Sequence, residues 1–575
     1  MSNSSRKAFL SPIIITLCVL AGFYIRGYFD SNRHAIRFFS GANKINSILE
    51  IIDKQYVDTV NMNQLIEKTA YNLINELDPH SVLIPAEDLQ MVNEPIEGSF
   101  SGIGISFNLI SDTILVITVF PGGPAEKAGI LPYDRIITIN DTLYAGKKNP
   151  DNQIQKTIRG LKNTKVKLGI QRGITDELMY FDVTRGDVPN YSIDVSYVVS
   201  DGIGYIKVRN FARTTYNEFL NAIAKLKSEG CTSFIIDLRD NSGGVMDVAI
   251  RMINEFMPAR KPIVYAEGKA FSRQNFRADG TGSCQDSPLV VLMNELSGSA
   301  SEIFAGAIQD NDRGLIIGRR SYGKGLVQAP IPLKDGSELR LTVARYYTPS
   351  GRCIQKTYQM GNASDYEQDL YNRYMHGEFF YEDSIKMIDS LAYQTLGGRT
   401  VYGGGGIMPD IFIPRDTNEN KRVTSYYVQV ENSGVLFQYT LEYSDKNRAK
   451  LSAFATYEEL FAYLQKQPIL DEFVVYAESK GIKRRPTFIE ISKDLIVNFI
   501  HAIVVRNFFS SEGFYPVYQK DDVVIKRGVQ VLKNGDWKPQ AIVLDPILDE
   551  VGDGYGTGRG VLKFRDYQTL NRGQL

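Results

Sequence analysis

NELSGSASEIFAGAIQDNDRGLIIGRRSYGKGLVQ, residues Asn294 to Gln328, reads as a helix, a buried strand and a glycine-rich turn, and it concentrates the chain's reactive side chains. Ser297, Ser299 and Ser301 alternate ahead of an Ala-rich run from Ala300 to Gln309. At least one of them is therefore expected at a helix N-terminus, where free N–H groups and the helix dipole stabilise developing negative charge. The apolar run Leu315 to Gly318 predicts a short buried strand, and the turn after it carries Lys324 between Gly323 and Gly325. A serine hydroxyl is a poor nucleophile until a base takes its proton, and a lysine serves as that base only when burial lowers its pKa. Tyr322, Leu326 and Val327 are suited to desolvate Lys324, while Arg319 and Arg320 suit a solvated basic turn equally well. On residue types alone, a helix cap beside a surface lysine satisfies the same pattern.

The block resembles the active-site signature of the carboxyl-terminal processing peptidases, or tail-specific proteases, which are Ser/Lys-dyad serine endopeptidases. The family pattern appears as Ser297, Ser299-Ala300-Ser301-Glu302, Ala305-Gly306-Ala307, Gln309-Asp310, and Gly323-Lys324-Gly325 with Gln328. The resemblance implies Ser299 as nucleophile and Lys324 as base, with Gln328 orienting the lysine. One departure is Arg319-Arg320-Ser321-Tyr322, where the family usually has an acidic residue and a Thr-Phe.

Upstream of this block, strands and helices alternate from about Val188, which predicts an α/β core. Ile203 to Val208 reads as a strand, Thr215 to Glu229 as a helix, and Thr232 to Leu238 as a buried strand. The last delivers Arg239-Asp240-Asn241-Ser242-Gly243-Gly244 to a turn before a helix from Val245 to Phe256. This L-R-x-N-x-G-G string is similar to a family signature. It implies an oxyanion hole made by the backbone N–H of Ala300 with that of Gly243 or Gly244.

From Gly98 to Gly186 the chain changes character to short strands and turns. Ser101-Gly102-Ile103-Gly104-Ile105-Ser106-Phe107, Pro124-Ala125-Glu126-Lys127-Ala128-Gly129-Ile130 and Asp134 to Asn140, in that order, resemble a PDZ domain. In such a domain, backbone N–H groups capture a peptide's terminal carboxylate while the peptide adds as a strand. The implied peptide-binding residues are Gly102, Ile103, Gly104 and Ile105, with Leu109 and Ile103 or Ile105 as walls for an apolar terminal side chain.

Ahead of this domain, helical spacing runs from Asn43 to Leu89 and closes in Leu77-Asp78-Pro79-His80-Ser81, also family-like. His80 reads as a turn or packing residue. Residues 1–10 form a cytoplasmic stub, and 11–29 a membrane anchor or uncleaved signal, within an apolar segment from Ala8 to Phe29. Orientation by flanking charge is undecided, because Arg26, Arg33 and Arg37 outnumber Arg6 and Lys7.

Beyond the block, Leu339 to Tyr347 predicts a strand leading to Thr348-Pro349-Ser350-Gly351-Arg352, with Cys353 where the family commonly has a serine. Residues 356–399 read as an insertion, and the pattern resumes at Gly403 to Ile411. From 416 to 575 the resemblance fades. Helical spacing at Tyr457 to Gln465, Ile469 to Lys480 and Ile489 to Phe509 suggests a mostly helical extension, an expected oligomerisation region. The third of these is interrupted by Lys493, Asn498 and His501, which argues for a core or dimer helix rather than a membrane span.

With 65 Lys and Arg against 66 Asp and Glu, the chain has no excess charge to neutralise phosphates, so nucleic acid is not an expected partner. Four cysteines without CxxC spacing indicate neither a metal cluster nor a disulfide framework. The expectation is an α/β and β multi-domain chain: a helical region at 30–90, a PDZ domain at 91–186, a protease core at 187–355 and 400–415, and the insertion and extension. Its expected function is that of an ATP-independent serine endopeptidase without cofactor, membrane-anchored with its catalytic part outside the cytoplasm. Its substrates are proteins or peptides with free, apolar C-termini. The rival reading is a non-catalytic PDZ adaptor or envelope chaperone. A Ser-His-Asp hydrolase is disfavoured, since only His34, His80, His376 and His501 are present and no G-x-S-x-G surrounds Ser299.

Overall fold

In the computed structural model, which describes residues 40–539 apart from 111–112, 148–150, 173–176 and 416–421, two helices come first: α1 (Ser40–Gln55) and α2 (Met62–Asn75). The stub and the anchor segment lie outside the described residues. Helical spacing does not persist to Leu89. The Asp78 carboxylate accepts the N–H groups of His80 and Ser81 and the Ser81 hydroxyl, which turns the chain into a short strand, β1 (Val82–Ile84). Three apolar residues carry no periodicity that separates strand from helix. Helix α3 (Ala86–Glu97) follows and ends at Gly98, whose positive φ of 74° makes a left-handed cap.

The next region is built from β2 (Ser99–Gly102), β3 (Ile105–Ile110), β4 (Thr113–Val119), α4 (Pro124–Lys127), β5 (Arg135–Ile139), β6 (Thr142–Leu143), α5 (Asp151–Ile158), β7 (Lys165–Gln171), β8 (Leu178–Thr184) and β9 (Gly186–Pro189). Its sheet runs β3-β4-β5-β7-β8, with β6 beside β5, and β2 pairs with β9. Ile103, Val116, Ile136, Ile154 and Val166 fill its core. Strand β3 lies at the open edge of the sheet.

The core begins with β10 (Ile193–Ser200), β11 (Ile203–Val208), α6 (Thr215–Ser228), β12 (Ser233–Asp237), α7 (Met246–Asn254), β13 (Pro262–Glu267), β14 (Gln274–Arg277), β15 (Leu289–Met293), α8 (Ala300–Asp310), β16 (Leu315–Gly318), β17 (Leu326–Pro332) and β18 (Glu338–Tyr347). After the insertion, with α9 (Ala363–Met375), β19 (Ala392–Gln394) and β20 (Thr400–Tyr402), strand β21 (Ile411–Phe412) completes the central sheet. Its order is β10-β11-β12-β15-β16-β21, parallel from β11 onward. Central strands buried on both faces read as continuous apolar runs, and successive residues serve opposite faces. Phe234, Ile236, Leu289 and Val291 pack with α6, α7 and α8 on one face; Ile235, Val290 and Leu292 pack on the other. A second sheet, β1-β18-β13-β14 with β17 on β18, ties the N-terminal strand to the core.

The opposite face of the central sheet is covered by the C-terminal extension. Its helices are α10 (Ser425–Asn432), α11 (Val435–Lys446), α12 (Arg448–Leu451), α13 (Tyr457–Leu464), α14 (Ile469–Ser479), α15 (Pro486–Tyr518) and α16 (Val523–Asn534). Val524, Ile525, Val531 and Leu532 of α16 pack on Ile235, Val290 and Leu292. Phe437 and Leu441 of α11 meet Leu115 and Tyr133 of the β3–β8 region. Helix α15 breaks at Phe509 and Ser510, and among the described residues no helix is long and apolar enough to cross a membrane.

Candidate active site

Three serines crowd the start of α8, and their surroundings separate them. Ser297 and Ser301 are fully buried and donate their hydroxyls to the carbonyls of Leu238 and Asn241, at 2.8 and 2.9 Å. Both bonds tie the helix tip to the segment from Leu238 to Gly244. Ser299 is the N-cap, half-buried, with φ 54° and ψ −113°. A non-glycine residue in such a conformation stores roughly 1–3 kcal/mol of strain and persists only where its surroundings over-determine it. The dipole of α8 favours negative charge at that tip.

The turn after β16 sets the backbone N–H of Lys324 on the same Glu302 carboxylate that holds the Ser299 N–H. Burial pushes its ammonium below the ordinary lysine pKa, against the pull of the Glu302 and Asp78 carboxylates; Arg340 adds to the lowering. Its Nζ donates to Gln328 Oε1 at 3.3 Å, and Gln328 Nε2 donates to the His80 carbonyl at 2.5 Å. The amide of Gln328 is thus oriented with its oxygen toward the lysine.

Two side chains bridge the nucleophile and the lysine through their backbones. Glu302 is fully buried, and its carboxylate accepts the N–H groups of Ser299 and Lys324, both at 2.8 Å, with that of Gly323 at 2.7 Å and the Ser321 hydroxyl at 2.5 Å. Burial raises its pKa to about 7, although every one of these donors works in the opposite direction. The phenol of Tyr346, also buried, lies between the carbonyl oxygens of Ser299, at 3.0 Å, and Lys324.

The loop facing Ser299 starts from Asp237, whose carboxylate is held well below the usual range by Arg239 and Lys207 despite complete burial. Arg239 also donates to Asp522, the N-cap of α16, at 2.8 Å. Gly243 has φ 110°, and a Cβ there would lie 2.7 Å from Ser299 Cβ, so only glycine fits. Its N–H donates to Asn241 Oδ1 at 2.9 Å. The bridge to Phe211 uses the Gly243 carbonyl and the Val245 N–H, leaving the Gly244 N–H outside it.

Several residues of the site carry no catalytic signature in the sequence. Glu302 lies within a recognised string and Tyr346 in the expected strand Leu339 to Tyr347, neither with an assigned role. Arg352 is fully buried and donates to Asp310 and Gln309 at 2.7 Å, fixing the Thr348–Arg352 turn to the far end of α8. The Arg319-Arg320-Ser321-Tyr322 departure is not a solvated basic turn. Arg319 pairs with Glu295 at 2.7 Å, and Arg320 with Glu378 of the insertion at 2.5 Å. Of the predicted peptide-binding residues, Ile103 is 2% exposed and belongs to the β3–β8 core, so its side chain forms no wall of an open groove. Ile105 and Leu109 lie on edge strand β3, partly buried against that core.

Against known proteins, residues 202–367 match the model of Peptidase family S41, and residues 101–183 that of the PDZ domain. Residues 426–510 match a family of unknown function. The probable CtpA-like serine protease of Staphylococcus aureus (strain MRSA252) is 31% identical over 365 residues, spanning 61% of this chain and 72% of its own. The carboxy-terminal processing protease CtpA of Bacillus subtilis (strain 168) is 34% identical over 315 residues, 55% of this chain and 66% of its own. Among solved structures, the photosystem II D1 C-terminal processing protease aligns with 27% identity and a TM-score of 0.30, covering 53% of this chain and 87% of its own. The chain belongs to peptidase family S41: it is a PDZ-containing serine-type peptidase related to the carboxy-terminal processing proteases.

Proposed function

We propose that the chain is an ATP-independent endopeptidase that works by a Ser299/Lys324 dyad and chooses substrates by their C-termini. The observation that carries this reading is the double bridge of Glu302 and Tyr346, which registers the backbone of a half-buried helix-tip serine against that of a lysine whose pKa burial lowers. Neutral Lys324 takes the proton from Ser299 Oγ as the oxygen attacks the scissile carbonyl, and returns it to the departing amine as the C–N bond breaks. Water then attacks the acyl-enzyme, giving a proton to Lys324, and Ser299 recovers its own as the ester bond opens. The carbonyl oxygen gains charge in both tetrahedral intermediates. We assign its donors as the N–H groups of Ala300 and Gly244, because that of Gly243 is already engaged by Asn241.

In the PDZ domain, the N–H groups of the Gly102–Ile105 loop take the terminal carboxylate of a peptide that adds beside edge strand β3. The apolar segment from Ala8 to Phe29 is assigned as a membrane anchor that leaves the catalytic part outside the cytoplasm. The rival reading, a PDZ adaptor without turnover, predicts binding of tailed proteins and no cleavage. The deciding experiment is hydrolysis of a protein with an unstructured apolar tail by the full chain, compared with Ser299→Ala and Lys324→Ala. The dyad requires cleavage by the wild type alone; cleavage retained in either variant overturns it.

A further inference from the structure

The insertion between Lys356 and Arg399 turns one face of α9 toward the turn that carries Lys324. Tyr366, Asp369 and Arg373 stand at i, i+3 and i+7, a single helical stripe. Arg373 is buried and donates to the carbonyls of Ser321 and Arg320, at 2.9 and 2.8 Å, and to Glu378 at 2.8 Å. Glu378 in turn holds Arg320. Asp369 pairs at 3.0 Å with Lys356, whose N–H donates to the Gly323 carbonyl at 3.0 Å. The Lys356 ammonium lies over the rings of Tyr322 and Tyr366, 4.1 and 4.0 Å from their centroids. Each residue from Arg320 to Gly323 is therefore touched by the insertion or by a group the insertion holds.

Tyr366 reaches further. It is 4% exposed, and its hydroxyl shares a 2.7 Å hydrogen bond with His80 Nε2, the two rings meeting edge to face at 5.1 Å. The carbonyl of that same His80 receives Gln328 Nε2, and Gln328 Oε1 receives Lys324 Nζ. An amide whose nitrogen is anchored cannot rotate its oxygen away. One N–H of the amine is then directed at Gln328, which constrains where the lone pair of a neutral lysine points.

We propose that α9 is a positioning element for the general base, with Tyr366 acting on Lys324 through His80 and Gln328. This rests on the reading of Lys324 as the base. Tyr366→Phe keeps the ring's packing on His80, Tyr322 and Lys356 and removes the hydroxyl, which also meets Gln355 and Tyr322, so the route through His80 is isolated by a second background. With the purified full chain and a fluorogenic unstructured peptide, Tyr366→Phe lowers kcat about tenfold, with KM within about twofold and an unchanged melting temperature. In a Gln328→Ala background the same substitution changes kcat by less than about twofold, because the route is already cut. A wild-type kcat in Tyr366→Phe, a change confined to KM, or a tenfold loss that persists in the Gln328→Ala background overturns the proposal. Lys324→Ala run in parallel separates the two readings: activity in that variant removes the base assignment itself, whereas an inactive Lys324→Ala beside a wild-type Tyr366→Phe removes only the role of α9.

Discussion

The nucleophile and the base are held in opposite ways. Ser299 is fixed by its own neighbourhood: Ser297 and Ser301 on either side lock the helix tip to the segment from Leu238 to Gly244, and Glu302, one turn on, takes its N–H. Lys324 sits in a turn with little structure of its own, and its supports come from 78–81, 302, 346, 356 and 366–378. The difference follows from what each group needs. A helix N-terminus places a serine by local geometry, but a lysine becomes a base only inside a shell assembled from distant segments.

The largest effects are expected where either group is removed. Ser299→Ala and Lys324→Ala should each lower kcat by about a thousandfold or more, and Lys324→Arg should fail equally because a guanidinium does not deprotonate at working pH. Steady-state kinetics with intact circular dichroism checks this; a lysine variant within tenfold of wild type breaks the comparison.

A stability effect should follow on the nucleophile side. Arg352→Ala leaves Asp310 buried without its cation at the far end of α8, a loss of about 3–5 kcal/mol in denaturant unfolding. Retention of wild-type stability would mean that Ser350 alone satisfies Asp310.

Acid sensitivity sharpens the comparison on the side of the base. Burial holds both His80 and His501 neutral, with pKa values near 4 against an ordinary 6.5. Each contributes stability above pH 6.5 that is lost as pH falls through about 4. Glu302, raised to about 7, has the reverse sign: its contribution is present below its ordinary 4.5 and is lost as pH rises through 7. Two histidines outweigh one carboxylate, so unfolding free energy should drop on the order of 3 kcal/mol between pH 6.5 and 4. Constant stability over that window contradicts the burial assigned to His80.

The smallest effect is expected farthest from the dyad. Peptides with a free apolar terminus should bind about tenfold more tightly than their amidated forms, measured by titration calorimetry on the Ser299→Ala chain. Equal affinities would remove terminal carboxylate recognition.

These two modes of support also explain what was legible before folding. Strands Ile203–Val208 and Leu315–Gly318 emerge with the limits read from their apolar runs, and the serine helix differs by one residue. Burial on both faces leaves continuous apolar stretches that local reading detects. The shell around Lys324 was not legible. Nothing in Tyr366 or Arg373 announces contact with residues 80 or 321, and the insertion appeared as an interruption. The amphipathic spacing of Val524, Ile525, Val531 and Leu532 was equally mute, because a stripe shows that a partner exists and not that it is the catalytic sheet.

The central claim, that a buried lysine activates Ser299, is tested most directly by the pH dependence of Ser299 phosphonylation with a fluorophosphonate. The rate should climb as pH rises and Lys324 loses its proton, with an apparent pKa below that of an ordinary lysine, and the climb should vanish in Lys324→Ala. A rate independent of pH from about 5 to 9, or an unchanged profile in Lys324→Ala, would contradict it.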